Sequence, residues 1–213
     1  MNPRLLPLLV LFLTGCSGIY YDAMEKVGFA KRDLLVDRVE DVQESQNEAK
    51  EQFTSALDQL LEITRSDGGD LKANYDRLNR ELQRSEDRAA DVRERIEAVE
   101  DVAKALFREW RNELDQYQNA SLRRSSERQL ALTEERYEKM VELMRRAAGR
   151  MDPVLATFRD QVLFLKHNLN AQALAGLDST ARELEADVTA LLADMERSIR
   201  EADAFVAELQ RAE

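Results

Sequence analysis

The amino-acid sequence predicts an all-α protein: about four long helices paired as two antiparallel coiled-coil hairpins, forming an elongated bundle. Three observations carry this expectation. Breakers are scarce, with 7 Gly and 3 Pro in 213 residues, too few for the turns of a many-stranded β fold. Between the breakers, apolar residues recur at alternating steps of four and three, the mark of a helix seam. Outward positions carry acid-first pairs spaced i,i+4, which suit a solvated helix face. These are Asp76/Arg80, Asp91/Arg95, Glu100/Lys104, Glu135/Lys139, Glu142/Arg146 and Glu196/Arg200.

The first arm follows Leu35, Val39, Val42, Gln46, Ala49, Phe53, Ala56, Leu60 and Ile63, with Gln46 as its polar exception. Ser66-Asp67-Gly68-Gly69-Asp70 breaks it. Paired glycines permit positive φ, and Asp70 is suited to cap the next helix. The second arm follows Leu71, Tyr75, Leu78, Leu82, Ser85, Ala89, Val92, Ile96, Val99, Ala103, Leu106 and Trp110, with Ser85 polar. A repeat near 3.5 residues predicts left-handed supercoiling. Polar residues on a seam, here Gln46 and Ser85, fix register at a cost in stability.

Asn119-Ala120-Ser121 is the expected turn between the halves. The third seam runs through Leu130, Thr133, Tyr137, Met140, Met144, Ala147 and Met151, then Leu155, Phe158, Val162, Leu165 and Leu169. Gly149 and Pro153 should weaken or kink this helix. The chain is expected to turn again near Gly176. The last seam is Leu177, Ala181, Leu184, Val188, Leu191, Met195, Ile199, Ala202, Val206 and Leu209. Its consecutive four-residue steps between Leu191 and Ile199 read as a phase shift. The hairpins are assigned to residues 31–118 and 122–212, within a helical domain of residues 31–213.

The first fifteen residues differ in kind. Arg4 precedes the apolar run Leu5 to Leu13, which is too short for a membrane span of about 20 residues and has the form of a signal-peptide core. Leu13-Thr14-Gly15-Cys16 follows and resembles the lipobox of bacterial lipoproteins. That resemblance implies a signal peptide of residues 1–15, cleavage between Gly15 and Cys16, and lipid on the Cys16 sulfur with an acyl chain such as palmitate on the new amine. Residues 16–30 become the lipidated anchor and a short tether. Two or more chains, each buried CH₂ contributing about 0.8 kcal/mol, hold a protein stably without a spanning helix. Ser17 follows the cysteine, where an Asp would mark retention at the inner membrane, so the resemblance points to the periplasmic face of the outer membrane.

Composition narrows the chemistry. There are 31 Lys+Arg against 42 Asp+Glu, a net charge of −11. An acidic chain is unsuited to general nucleic-acid binding, which needs a basic face. One Cys, assigned to the anchor, and one His leave no cysteine zinc site or histidine cluster. Four-helix di-iron centres place a Glu three residues before each ligating His; Phe164 holds that place before His167, which reads as a partly exposed helix residue. No phosphate-binding or dinucleotide glycine pattern is present, and no nucleophile motif supports a hydrolase triad. No catalytic residue, metal or cofactor is assigned, and the chain is not expected to be an enzyme. Arg123-Arg124 and Arg145-Arg146 read as solvated helix positions, and Trp110 as a seam residue.

The segment after the anchor carries a resemblance. Tyr20-Tyr21, Met24-Glu25-Lys26-Val27-Gly28 and Lys31-Arg32-Asp33-Leu34-Leu35-Val36-Asp37-Arg38-Val39-Glu40, continued by Gln52-Phe53 and Ala56-Leu57, resemble an uncharacterised bacterial lipoprotein family, a domain of unknown function (number 2959). The resemblance implies an exported, anchored, helical protein and carries no catalytic residue over. Lys31, Arg32 and Arg38 are expected to pair with Asp33, Asp37 and Glu40 inside the bundle. The expected role is a structural or interaction protein, a coiled-coil scaffold held to the membrane through the Cys16 lipid, with an envelope protein or a second copy as partner. The alternative is a lipid- or envelope-stress-linked binding module whose helices open to expose an apolar seam bearing Met140, Met144 and Met151.

Overall fold

The computed structural model describes residues 31–65, 70–168 and 171–211, with side chains of the last stretch described from residue 180 onward. The signal segment, the tether 16–30 with Cys16, and the Gly68-Gly69 turn lie outside the described residues. Four helices run in order: α1 Lys31–Arg65, α2 Leu71–Leu114, α3 Ala120–His167 and α4 Ala171–Arg211. α2 has 44 residues, about 66 Å at 1.5 Å per residue, so the body is elongated. Each helix packs against two others, α1 on α2, α2 on α3, α3 on α4 and α4 on α1. The seams therefore close within one chain as an up-down-up-down ring.

The turns follow local chemistry. Asp70 caps α2 by accepting from the Ala73 amide at 3.1 Å. Asn119 caps α3 by accepting from the Ser121 and Leu122 amides at 2.9 and 3.3 Å. Each cap satisfies helix-end N–H groups that have no partner within the helix. The expected turn near Gly176 is corrected: Gly176 lies inside α4, and the break falls after His167. There the Asn168 amide donates back to Phe164 and Leu165. A single helical Gly costs only about 1 kcal/mol, which the surrounding Ala and Leu of residues 171–177 can outweigh. α3 likewise runs unbroken through Gly149 and Pro153. Both are exposed, so the Gly149 carbonyl that lacks a partner at Pro153 is open to hydration.

The core is the expected set of seams, widened. All nine positions of the α1 stripe are buried, Gln46 included. Ring closure adds buried doublets where one helix touches two neighbours, such as Leu34/Leu35, Met140/Val141, Val154/Leu155 and Phe205/Val206. That is the broad apolar face of a bundle helix rather than a two-stranded seam. At the end of α2 the buried residue is Phe107, while Leu106 and Trp110 are half-buried. The phase shift expected in α4 is also corrected. Ser198 is fully buried and Ile199 only half-buried, so the alternation continues through a polar residue.

Candidate functional site

Two polar layers cross the core. In the middle, the Gln46 side-chain amide donates to Ser198 Oγ at 3.1 Å, both side chains being fully buried. Gln46 Oε1 has no hydrogen-bond partner. Asp194 of the same region is buried and takes Arg150 from α3 and, at 3.1 Å, Arg197 from its own helix. Toward the far end, Gln52 of α1 donates to Glu81 Oε2 of α2 at 2.8 Å, and Ser85 donates to the Glu81 carbonyl at 2.8 Å. Thr180 donates to Gln161 at 3.1 Å across α4 and α3. Gln46 and Ser85 are thus on the seam as expected. Ser198, Glu81, Asp194 and Gln161 escaped the sequence reading, because a polar residue interrupts an apolar pattern and no local signal says that a partner awaits it.

The charged surface is organised between helices more than along them. Of the expected i,i+4 pairs, Asp91–Arg95 forms at 3.1 Å and Glu196–Arg200 at 3.9 Å. Glu100 instead binds Arg145 of α3 at 2.7 Å, Asp76 binds Lys72 at 2.9 Å, and Lys139 binds Glu201 of α4 at 2.8 Å. Arg111–Glu134, Glu100–Arg145, Arg93–Asp152 and Glu86–Arg159 form one ladder. In it every step along α2 is matched by an equal opposite step along α3. Charges flanking a seam reach the neighbouring helix as readily as their own, which is why spacing within one helix misjudged the partner. Such exposed pairs contribute about 0–1 kcal/mol each, and they define register.

One end of the bundle gathers the start of α1, the α2–α3 turn and the end of α4. Lys31 is buried and pairs with Glu109 of α2 at 2.9 Å. Arg32 lies 5.9 Å from the Trp110 ring centroid, within cation–π range, and Arg38 pairs with Asp41 at 2.8 Å. The expected partners Asp33, Asp37 and Glu40 are exposed, which corrects that assignment: the cations are used inside the bundle, but toward other groups. Trp110 donates from Nε1 to Ser126 Oγ at 2.8 Å. Arg123 pairs with Asp115 and Glu127. A recess here is lined by Arg32, Gln129, Thr133, Arg136 and Phe205.

Below it, Tyr137 meets Phe107 edge-on at 5.3 Å and Phe205 at 6.4 Å. Burial first, and then the negative field of Glu100, push its phenol up to about 12. His167 is exposed at the last turn of α3. Among the described residues no group of three or more His, Cys, Asp or Glu is placed to hold a metal ion. No described helix is long and apolar enough to cross a membrane.

The architecture defines the class: a single-chain, four-helix, up-down-up-down bundle with long arms and polar layers in its core. Within that class, the chain belongs to a family described as a protein of unknown function (DUF2959), whose model matches residues 20–209. No curated protein and no solved structure matches the chain.

Proposed function

We propose that this protein is a membrane-anchored periplasmic lipoprotein with a non-catalytic role, a rigid coiled-coil spacer that presents its flank or far end to an envelope partner or to a second copy. The observation that carries the reading is the bundle's polarity. The tether of residues 16–30 enters α1 at Lys31, at one end of a body about 60 Å long. An anchor on Cys16 therefore leaves the α1–α2 and α3–α4 turns at the opposite end. Closure of the ring within one chain gives the body stiffness without a partner. The outer membrane, through Ser17, is the proposed location. Met140, Met144 and Met151, all on α3, are each 0% accessible, so they fill a closed core and lend the opening-seam alternative no support.

The test is mass spectrometry of the mature N-terminal peptide from membranes, with Cys16→Ala as the paired variant. The expected result is a chain starting at a diacylglyceryl-modified Cys16 and unprocessed, unlipidated protein in the variant. Identical processing of both chains would remove the anchor. Photo-cross-linking from exposed positions in intact cells then tests the role. Reproducible adducts confined to one face support presentation to a partner, and their absence at every position along both flanks would defeat it.

A further inference from the structure

The end of the bundle where α1 begins also holds the α2–α3 turn. Lys31 reaches Glu109 and Arg32 lies over Trp110, while Trp110 donates to Ser126 and Arg123 reaches back to Asp115. The start of α1, the end of α2 and the first turns of α3 are therefore neighbours there. Two properties set this end apart in a chain of net charge −11. No carboxylate occurs from Gln116 through Ser126. Three of the five exposed large apolar side chains among the described residues also gather here, Tyr117 at 41%, Leu122 at 55% and Leu132 at 48% exposure.

The first turns of α3 present one continuous outer face. Ser121, Arg124, Ser125, Arg128, Ala131 and Leu132 recur at helical spacing and are all exposed. Arg123, on another side, is neutralised by Asp115 at 3.2 Å and Glu127 at 3.0 Å. Arg124 gives its Nε–H to the Ala120 carbonyl at 3.2 Å, and neither it nor Arg128 meets a carboxylate among the described residues. On the face itself the first acid is Glu135, one turn beyond Ala131. The exposed Asp33 and Asp37 of this end belong to α1, which packs on α2 and α4 and stands diagonally across the ring from α3. Glu113 of α2 lies about five turns beyond Arg95, on the side that faces α1.

We propose that this face and the turn before it rest on an anionic phospholipid surface, with Arg124 and Arg128 against phosphate groups and Tyr117, Leu122 and Leu132 entering the headgroup layer. Arginine carries its charge on a long apolar stem, and tyrosine and leucine suit the boundary between headgroups and acyl chains. Three apolar side chains spread over a tip and a flank do not form the packed centre that a protein partner needs, yet they serve for shallow insertion. The choice of a membrane rests on the anchor reading, because a lipid on Cys16 holds this end of the bundle at the bilayer and raises the effective concentration of a contact too weak to persist alone. Leu163 and Phe164, the other two exposed apolar side chains, stand near the opposite end of α3, away from the anchor. The bundle then leans with α3 toward the membrane and α1 away from it.

Vesicle sedimentation tests the contact without the anchor, using the chain from residue 17, which keeps the whole ring of four helices. Phosphatidylglycerol vesicles should bind it at least about tenfold more strongly than phosphatidylcholine vesicles, and high salt should erase the difference. Arg124→Glu with Arg128→Glu should weaken that binding at least about tenfold. Arg146→Glu with Lys166→Glu makes an equal change of charge at exposed positions farther along α3 and should weaken it no more than about twofold. Equal binding to the two lipids overturns the proposal, and so does equal loss in the two charge variants, which would show net charge alone. Hydrogen exchange of the full protein purified from membranes supplies the second readout. Residues 120–132 should exchange at least about threefold more slowly on phosphatidylglycerol than on phosphatidylcholine vesicles, with residues 155–165 unchanged. Unchanged exchange in residues 120–132 overturns it, as does photo-cross-linking from position 132 in cells that captures protein and no lipid. Lipidation of Cys16 is read separately by mass spectrometry. A lipidated protein whose anchor-free form ignores phosphatidylglycerol sinks the contact and spares the anchor, and an unlipidated protein whose α3 face still selects that lipid does the reverse.

Discussion

Replacing Ser198 by Ala should destabilise the bundle far more than loss of one hydroxyl suggests, while replacing Gln46 by Met should stabilise it. Gln46 is completely buried and makes one bond, from its amide to Ser198 Oγ at 3.1 Å; its carbonyl oxygen has no partner. Ser198→Ala removes the only partner and leaves a wholly unsatisfied amide in the core, a cost of about 1–3 kcal/mol. Gln46→Met keeps the unbranched shape and removes the orphaned carbonyl. The freed Ser198 hydroxyl can turn to a carbonyl of its own helix, as buried helix serines do. A gain of about 1–2 kcal/mol is expected.

The double variant should then sit near Gln46→Met alone, giving a coupling of about 2 kcal/mol from adjacent groups. The assay is urea unfolding followed by helical circular dichroism, with the slope required to stay constant so that the midpoint reports stability. A neutral Ser198→Ala, or a Gln46→Met that loses more than about 1 kcal/mol, would refute the reasoning. Either would show that Gln46 is satisfied in a way that the ring geometry does not provide.

Other outcomes follow from the same structure. Leu191→Ala, at a fully buried ring position, should cost about 2–5 kcal/mol, whereas Leu163→Ala, 51% exposed, should change stability by less than about 0.5 kcal/mol; equal effects in urea unfolding would contradict the assigned core. Gly149→Ala should stabilise by about 0.5–1 kcal/mol, since a Cβ there meets nothing within 4 Å, and a lower thermal midpoint would show that the turn before Pro153 needs glycine. Tyr137 has its phenol raised from 10.0 to about 12. The folded state therefore holds that proton more tightly, and the stability this contributes is full below pH 10 and lost as pH rises from 10 through 12. Tyr137→Phe should shift the alkaline unfolding midpoint upward; coincident alkaline transitions, with tyrosinate absorbance appearing before unfolding, would exclude the linkage. Arg145→Ala breaks a rung whose arginine is 63% exposed and should cost at most about 1 kcal/mol, a loss that shrinks further in high salt.

The apolar periodicity by itself determined the helices, the two long arms of each hairpin and nearly every seam residue, because burial of a helix face requires apolar side chains at fixed spacing whatever they pack against. Caps at Asp70 and Asn119 were legible for a similar reason, since their side chains satisfy amides only two or three residues away. Local signals failed where the deciding energy is not local. Gly176 looked like a stop, yet the helix around it continues. The break in α4's apolar steps looked like a shift, yet Ser198 keeps the phase because Gln46 stands opposite it on a helix far away in sequence. The acid-first pairs looked like partners, yet Glu100 and Lys139 found closer opposite charges across the interface. Whether the seams closed between chains or within one was a question that periodicity leaves open, because the same apolar face suits either neighbour. Only the tertiary structure decided it, through the ring of four helix–helix contacts, because each apolar face is there covered by a neighbouring helix of the same chain.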